Sequence, residues 1–160
     1  MSKGFTEALA IILQLEGGYS DDKDDSGGKT NYGITEAVAR ENGYYGDMRE
    51  IPEAIAAAIY RNRYWDACLC DKLPWPMALY VFDSAVNQGP GAATLMMQSA
   101  LGVTEDGVIG PATIAAASKS GDWHAAKFMA LRGKRYANTN GAWKYLTGWL
   151  TRTYLVARLA

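Results

Sequence analysis

Apolar residues recur at spacings of three and four positions along most of the chain, which is the pattern of amphipathic helices. No alternating apolar and polar run is long enough to predict a strand of ordinary length. The pattern therefore predicts a mainly α fold with seven or eight helices. A first helix carries Phe5, Leu9 and Ile12 and ends at Gly17-Gly18. The further helices are predicted over residues 35–42, 52–66, 76–89, 92–101, 111–119, 122–138 and 142–159.

One long segment, residues 17–33, interrupts the helical pattern. It contains five glycines and four aspartates, with Tyr19 and Tyr32 as its large side chains. Loops of this length inside compact domains are commonly functional. We expect a glycine-rich loop here, or a short hairpin that turns around Gly27-Gly28.

Glu16 is the first candidate for chemistry, because it follows Ile12 by four residues on the apolar stripe of the first helix. Burial and the negative end of the helix dipole both favour the protonated form of a carboxyl in this position. A carboxyl that keeps its proton can act as the general acid in glycoside hydrolysis. The alternative is an ion pair with Arg61, Arg63 or Arg132 that only ties the helix down.

Asp25 stands nine residues after Glu16, on the acidic loop. An acid at a helix end facing a second acid on a loop is typical of two-carboxylate hydrolases, and Asp25 is the candidate that holds or activates water. The alternative is that Asp25 caps the turn at Gly27-Gly28 through its own side chain.

A calcium loop is the competing interpretation of this segment. Positions 1, 3, 5, 6 and 9 of such a loop are matched by Asp22, Asp24, Ser26, Gly27 and Thr30. Gly33, however, occupies the place of the bidentate glutamate. With one histidine and two cysteines in the chain, zinc has few ligands either. No metal and no cofactor is predicted.

The composition indicates one core of reasonable size, with 160 residues, 49% of them apolar, and a net charge of −1. That charge gives no electrostatic reason to bind nucleic acid, and a monomer is expected. The charge is uneven, since residues 1–118 carry −8 and residues 119–160 carry +7. The basic residues 119–160, Arg152 and Arg158 among them, are predicted to attract an anionic envelope surface. Packing of the last helix through Trp143, Leu146, Leu150 and Tyr154 is the simpler interpretation.

Two further patterns concern the compartment. Cys68 and Cys70 are separated by one residue, a spacing that strains a disulfide, so reduced thiols are expected. Neither a membrane span nor a usual signal peptide is predicted near the start of the chain. We expect the protein to stay in the cytoplasm until something releases it.

Three segments in order resemble the glycoside hydrolase family 108 muramidases, many of which are phage endolysins. Residues 16–20 (EGGYS) and 25–35 (DSGGKTNYGIT) resemble the opening motif of that family. Residues 82–89 (FDSAVNQG), and residues 101–102 (LG) followed by 106–113 (DGVIGPAT), resemble its second half, often described as a peptidoglycan-binding part. Together these segments cover most of the chain.

The resemblance implies a lysozyme-like helical fold and cleavage between N-acetylmuramic acid and N-acetylglucosamine in bacterial peptidoglycan, with Glu16 as the catalytic glutamate. It also implies one domain over residues 1–160, with a catalytic lobe over 1–90 and a helical lobe over 91–160. A phage enzyme of this kind reaches the wall through a holin-type membrane lesion. The alternative function is a non-catalytic peptidoglycan-binding or secretion-accessory protein.

The remaining site residues are predicted around this core. Phage-type lysozymes, more distantly similar, place a threonine six residues after the aspartate, whereas here Thr30 comes one residue early and Asn31 stands in that place. Thr30 is kept as a candidate catalytic residue that positions water. The candidates for contact with the glycan are Tyr19, Tyr32, Asp83, Asn87 and Gln88.

Overall fold

The computed structural model describes residues 4–16, 19–20 and 29–160, and this part of the chain is mainly α, as predicted. A short antiparallel hairpin, β1 (Thr30–Asn31) and β2 (Ile34–Thr35), stands among the helices. The helices are α1 (Phe5–Leu15), α2 (Glu36–Glu41), α3 (Glu53–Tyr60), α4 (Met77–Gln88), α5 (Pro90–Leu101), α6 (Pro111–Ser118), α7 (Asp122–Ala137) and α8 (Ala142–Leu159). Single 3₁₀ turns lie at Met48–Glu50 and Cys70–Lys72.

Helix α4 is the centre of the fold. Every residue from Met77 to Ala85 is buried, and α4 contacts α1, α5, α7 and α8. The sequence pattern predicts one core face and one groove face for this helix, with Tyr80, Asp83 and Asn87 on the latter. The structure differs, because neighbouring helices cover both faces and leave Tyr80 and Asp83 buried. Charge on α4 must therefore be neutralised inside the protein.

Residues 52–66 are predicted as one helix, but the α-helix ends at Tyr60 and continues as a five-residue π-helical turn, Arg61–Trp65. The wider turn rotates Trp65 into the core, where it is 1% exposed and meets the rings of Phe5 and Phe82 edge-on. The indole N–H donates to Asp71 at 2.8 Å. Packing of one large ring has therefore displaced the regular helix.

The hairpin turns at Tyr32-Gly33, where both residues have positive φ, 52° and 70°. Two positive φ values are typical of the type I′ turn that matches strand twist. The Asn31 side chain stabilises the hairpin. Its Nδ2 donates to the Met48 carbonyl at 2.8 Å, and its Oδ1 accepts from the Tyr32 N–H at 2.9 Å. The predicted turn at Gly27-Gly28 lies outside the described residues.

The segment 106–113 between α5 and α6 is held by one buried amide. Gln98 donates to Asp106 Oδ1 at 2.7 Å and to the Val108 carbonyl at 3.0 Å, and it accepts from the Gly107 N–H at 2.9 Å. Hydrogen bonds from the Val108 N–H and from Gln98 lower the pKa of Asp106. Through these hydrogen bonds, Gln98 stabilises the turn in this motif.

Helix α8 packs through only part of the predicted stripe. Leu146 and Leu150 are partly buried, but Trp143 and Tyr154 are 86% and 76% exposed. The buried residues are Ala142, Thr153 and Val156. Arg152 also reaches inward to α4 and adds an internal ion pair to these contacts.

Two further expectations concern the described residues. Both cysteines are free and buried. No helix in the described part of the chain combines the length and the apolar character that crossing a bilayer demands.

Candidate active site

Glu16 lies directly after the last residue of α1, as the sequence predicts, and its backbone N–H closes the final turn on the Ile12 carbonyl at 2.9 Å. Its side chain is 19% exposed. The carboxyl is thus neither on open surface nor sealed in the core. A group in this position can meet a ligand while its neighbours remain fixed.

Arg152 is the ionic partner of Glu16, with Nη2 at 2.8 Å from Oε1. None of the three arginines considered from the sequence fills this role. Arg61 pairs with Asp66 and Asp71, Arg63 pairs with Glu41, and Arg132 pairs with Asp83. The alternative of an ion pair is therefore correct in kind but wrong in its partner, which comes from the last helix.

Asp83 links this pair to a second arginine. Arg152 donates to Asp83 Oδ1 from Nε at 3.0 Å and from Nη2 at 2.7 Å, and Arg132 Nη2 lies 2.5 Å from Asp83 Oδ2. The side chains of Asp83 and Arg132 are 0% exposed. We call Glu16, Asp83, Arg132 and Arg152 the charge network. Two carboxylates and two guanidinium groups make it neutral when both acids are ionised.

The position of Arg152 explains its protonation. Burial alone lowers the pKa of a guanidinium, but the charge and hydrogen bonds of Asp83, and then those of Glu16, hold the pKa of Arg152 above its ordinary value. Arg152 is consequently a permanent cation, shared between a fully buried carboxylate and a partly exposed one.

Tyr60 and Gly33 form the other wall beside Glu16. The Tyr60 hydroxyl donates to the Tyr32 carbonyl at 2.7 Å, and burial together with the nearby charge of Glu16 raises the pKa of Tyr60 far above its usual range. A Cβ placed on Gly33 would lie 2.6 Å from Glu16 Oε2. The hairpin thus approaches the carboxyl so closely, at a φ of +70°, that glycine is required.

The structure brings some predicted site residues to Glu16 and separates others. Asp83 is joined to Glu16 through Arg152 but has no exposed side chain, so it supports the site from inside and does not line a groove. Tyr32 contributes its backbone carbonyl to the wall. Thr30 pairs through its backbone with Ser20, at 2.8 and 2.9 Å. Asp25 lies outside the described residues, and its role stays a prediction.

Three other predicted site residues have different surroundings. Tyr19 has a buried hydroxyl with no hydrogen-bond partner among the described residues, and the Arg49 guanidinium lies 5.0 Å from its ring centroid. Asn87 and Gln88, at the end of α4, line a separate small cavity with residues of α7 and α8. Asn31, which stands in the place of the lysozyme threonine, is occupied by hydrogen bonds within its own hairpin and to Met48.

Sequence reasoning did not place Arg152, Tyr60 or Gly33 beside Glu16, and it considered Arg132 only as a direct partner of Glu16. A signal was present for Arg132, which follows Phe128 by four residues and precedes Tyr136 by four, on a stripe that is otherwise apolar. A permanent cation in such a stripe indicates a buried carboxylate partner. The expectation that Arg152 serves an anionic surface is corrected, because its charge is directed inward.

Comparison with known proteins bears on this arrangement. The family model described as glycosyl hydrolase 108 matches residues 9–89, slightly more than half of the chain. The chain belongs to the glycosyl hydrolase 108 family. The matched region contains Glu16, the hairpin and Asp83, whereas Arg132 and Arg152 lie beyond it. This chain is therefore a glycoside hydrolase by family, and peptidoglycan is the substrate class of such an enzyme.

A solved structure extends the similarity over the remaining helices. SagA from Brucella abortus shares 31% sequence identity, covers 97% of this chain and 92% of its own, and superimposes with a TM-score of 0.84. No curated protein matches significantly. This glycosyl hydrolase 108 member thus shares the fold of SagA over almost its whole length, including the helices that carry both arginines of the charge network.

Proposed function

We propose that the protein is an N-acetylmuramidase that cleaves the β-1,4 bond between N-acetylmuramic acid and N-acetylglucosamine, with Glu16 as the general acid. The observation that carries the proposal is the placement of the Glu16 carboxyl, at the end of α1, partly exposed and fixed on both sides. Family membership supports the reaction class, and the position of the carboxyl supports the choice of Glu16.

The two oxygens of Glu16 have different surroundings. Oε1 faces Arg152 at 2.8 Å, whereas Oε2 faces the Gly33 backbone of the hairpin turn. A proton on this carboxyl belongs on Oε2, because Oε1 accepts from a permanent cation. Oε2 is therefore the atom that would protonate the glycosidic oxygen as positive charge develops on the muramic sugar ring.

The charge network sets the resting state of this acid. Asp83 takes two hydrogen bonds from Arg152, so much of the arginine's charge is already neutralised before Glu16 is considered.

The remaining catalytic roles belong to the loop and hairpin. Asp83 is sealed beneath Glu16 and cannot attack a sugar carbon, so the second carboxylate must come from elsewhere. Asp25 is the proposed residue that holds or activates the attacking water, and Thr30 positions it. No cluster of three metal-binding side chains occurs within residues 4–16, 19–20 and 29–160, and the proposed reaction uses no metal.

Access to the wall follows from the proposed substrate. We propose that the protein acts as a phage-type endolysin on peptidoglycan, after release from the cytoplasm where it is made. Attraction to an anionic envelope would then depend on exposed cations of residues 119–160, such as Lys144 and Arg158, and not on the internal Arg132 and Arg152.

Purified wild type and Glu16→Gln, incubated with isolated peptidoglycan, test the acid. Loss of one positioned general acid lowers the rate by about 10²–10⁴-fold. Glu53→Gln, at an exposed carboxyl in the first turn of α3, is the matched control and should keep full rate. The released reducing ends should be N-acetylmuramic acid. Equal background release by wild type and Glu16→Gln would refute the enzyme, as would reducing ends of N-acetylglucosamine.

A further inference from the structure

A trough of about 470 Å³ lies between α5 and α7, which pack against each other. Its α5 wall extends from Ala92 to Ser99, and its α7 wall extends from Leu131 to Asn138. Each wall spans seven residue steps of an α-helix, or about 10.5 Å. The volume is within the range of about 300–1,000 Å³ that is usual for ligand sites. We call this cavity the α5–α7 trough.

One end of the trough adjoins the part of the fold that carries the charge network. Arg135 and Thr139 line the trough and also the smaller cavity next to it, which includes Tyr136. The Tyr136 hydroxyl accepts a hydrogen bond from Arg132 Nη2 at 3.1 Å. A ligand in the trough would therefore contact the same helix, α7, that supplies Arg132 to the charge network.

Two cations of α7 line the trough without a partner in the described part of the chain. Lys134 and Arg135 are exposed, and neither forms an ion pair within residues 4–16, 19–20 and 29–160. This is unusual among the arginines of the same residues. Six others pair with carboxylates, namely Arg40, Arg49, Arg61, Arg63, Arg132 and Arg152. Lys134 and Arg135 are therefore available to a carboxylate of a ligand.

An acidic side chain lines the same trough. Glu105 is exposed, lies between α5 and α6, and pairs with no cation among the described residues. The neighbouring Asp106 differs, because it accepts hydrogen bonds from Gln98 and from the Val108 N–H and so belongs to the turn. Charges of both signs thus line one cavity without neutralising each other. A ligand that carries carboxylates and an ammonium group is complementary to this arrangement.

Apolar side chains complete the trough. Leu95 is 40% exposed and Leu131 is partly buried, and both line the cavity between the two helices. They offer contact to methyl and methylene groups of a ligand. A length of about 10.5 Å holds about three residues of extended peptide, at about 3.3–3.6 Å for each residue. A short peptide with small side chains, acidic groups and one amino group therefore fits the trough in length and in charge.

We propose that the α5–α7 trough binds the stem peptide of peptidoglycan, with carboxylates of the peptide at Lys134 and Arg135 and the free amino group of its diamino acid at Glu105. The proposal rests on the proposed function, since the stem peptide is joined to the muramic sugar of the proposed substrate. Such stems are short, and they combine alanine and glutamate with a diamino acid. The trough makes the protein selective for glycan strands that still carry their peptides.

Titration of the Glu16→Gln protein with a free peptide, followed by NMR, tests the trough without turnover. The probe is the tetrapeptide L-alanyl-γ-D-glutamyl-meso-diaminopimelyl-D-alanine. Lys134→Met and Arg135→Met should each weaken binding about two- to fivefold, and the double variant should weaken it about tenfold. Lys72→Met/Lys119→Met removes two charges from exposed positions elsewhere, and this matched control should bind as the parent does.

A second peptide tests the contact with the amino group. Glu105→Gln should weaken binding of the tetrapeptide about two- to fivefold, whereas a tetrapeptide with an acetylated diaminopimelate amino group should bind equally with Glu105 or with Gln in its place. An equal effect of Glu105→Gln on both peptides would overturn this contact. An unrelated acidic tetrapeptide of the same net charge should bind more weakly than the stem peptide. Equal affinity for these two, or unchanged affinity in the Lys134→Met/Arg135→Met protein, would overturn the proposal.

Kinetics on two substrates separate this proposal from the proposed function. The substrates are intact peptidoglycan and glycan strands from which an amidase has removed the stem peptides. In Lys134→Met/Arg135→Met the KM for intact peptidoglycan should rise about tenfold more than the KM for the stripped strands. Hydrolysis with equal KM changes on both substrates would refute the trough and leave the muramidase intact. Binding of the stem peptide that depends on Lys134 and Arg135, without hydrolysis by wild type, would do the reverse.

Discussion

Replacing Asp83 by asparagine should destabilise the protein more than any surface charge change. The substitution preserves shape but removes the carboxylate that faces Arg132 and Arg152. Arg132 is 0% exposed, and its Nε and Nη1 already lack hydrogen-bond partners among the described residues. After the change this buried cation has no counter-charge within contact among the residues that the structure describes.

The expected cost follows from that burial. Removing one partner of a buried ion pair typically costs about 3–5 kcal/mol, because the other charge stays desolvated and unpaired. A domain of this size is stable by about 5–15 kcal/mol in total, so Asp83→Asn should remove a large share. Arg132→Met should cost less, because Asp83 keeps Arg152 as its partner, and the double variant should cost less than the sum of the two.

Urea unfolding followed by circular dichroism measures these free energies, with m-values that should stay close to wild type. Glu36→Gln breaks the exposed Arg40–Glu36 pair of α2 and serves as the control, with an expected change of at most about 1 kcal/mol. If Asp83→Asn unfolded within 1 kcal/mol of wild type, or if the two single changes simply added, the charge network would not hold α4, α7 and α8 together.

Four further experiments test other parts of the structure. The pKa of Tyr60 is raised in the folded state, so above pH 10 the folded protein keeps the Tyr60 proton while the unfolded chain loses it. The free energy of unfolding should therefore fall by about 1.4 kcal/mol per pH unit in that range. Tyr60→Phe should make this pH dependence weaker in unfolding titrations at alkaline pH. Burial raises the pKa of Cys68 to about 11, so its reaction with a thiol reagent at pH 8 should be slow in the native protein and fast in urea. Gly33→Ala forces a Cβ against Glu16 and a φ of +70°, and should lower kcat at least tenfold with about 1–2 kcal/mol of lost stability; full activity would contradict the close approach. Gln98→Leu leaves the 106–113 turn without its buried amide and should cost about 1–3 kcal/mol in thermal unfolding.

The helical character and most helix boundaries are predictable from the sequence, because apolar periodicity, Pro111 at a helix start and Gly102 at a helix end act locally. The start of α5 at Pro90 lies two residues before the predicted one. The position of Glu16 on a helix end is predictable for the same reason. The π-helical turn at Arg61–Trp65 is not predictable in this way, because it is stabilised by the packing of Trp65 against Phe5 and Phe82.

The partners of Glu16 cannot be predicted from local sequence patterns. Arg152 is far away in sequence, and its pairing depends on how α8 crosses α4. The same crossing hides Asp83, which periodicity places on a groove face, and exposes Trp143 and Tyr154, which periodicity places against the core. Long-range charge pairing decides each of these differences, and it leaves only indirect marks in the sequence, such as the arginine on the apolar stripe of α7.

The ion pair between Glu16 and Arg152, two residues far apart in the sequence, has a consequence for biosynthesis. A nascent chain carries Glu16 out of the ribosome long before Arg152 is translated, whereas Asp83 and Arg132 can pair with each other before that point. Products shortened before α8 would lack the arginine that contacts both Glu16 and Asp83. The Glu16 carboxylate therefore acquires its ionic partner only after α8 has been synthesised.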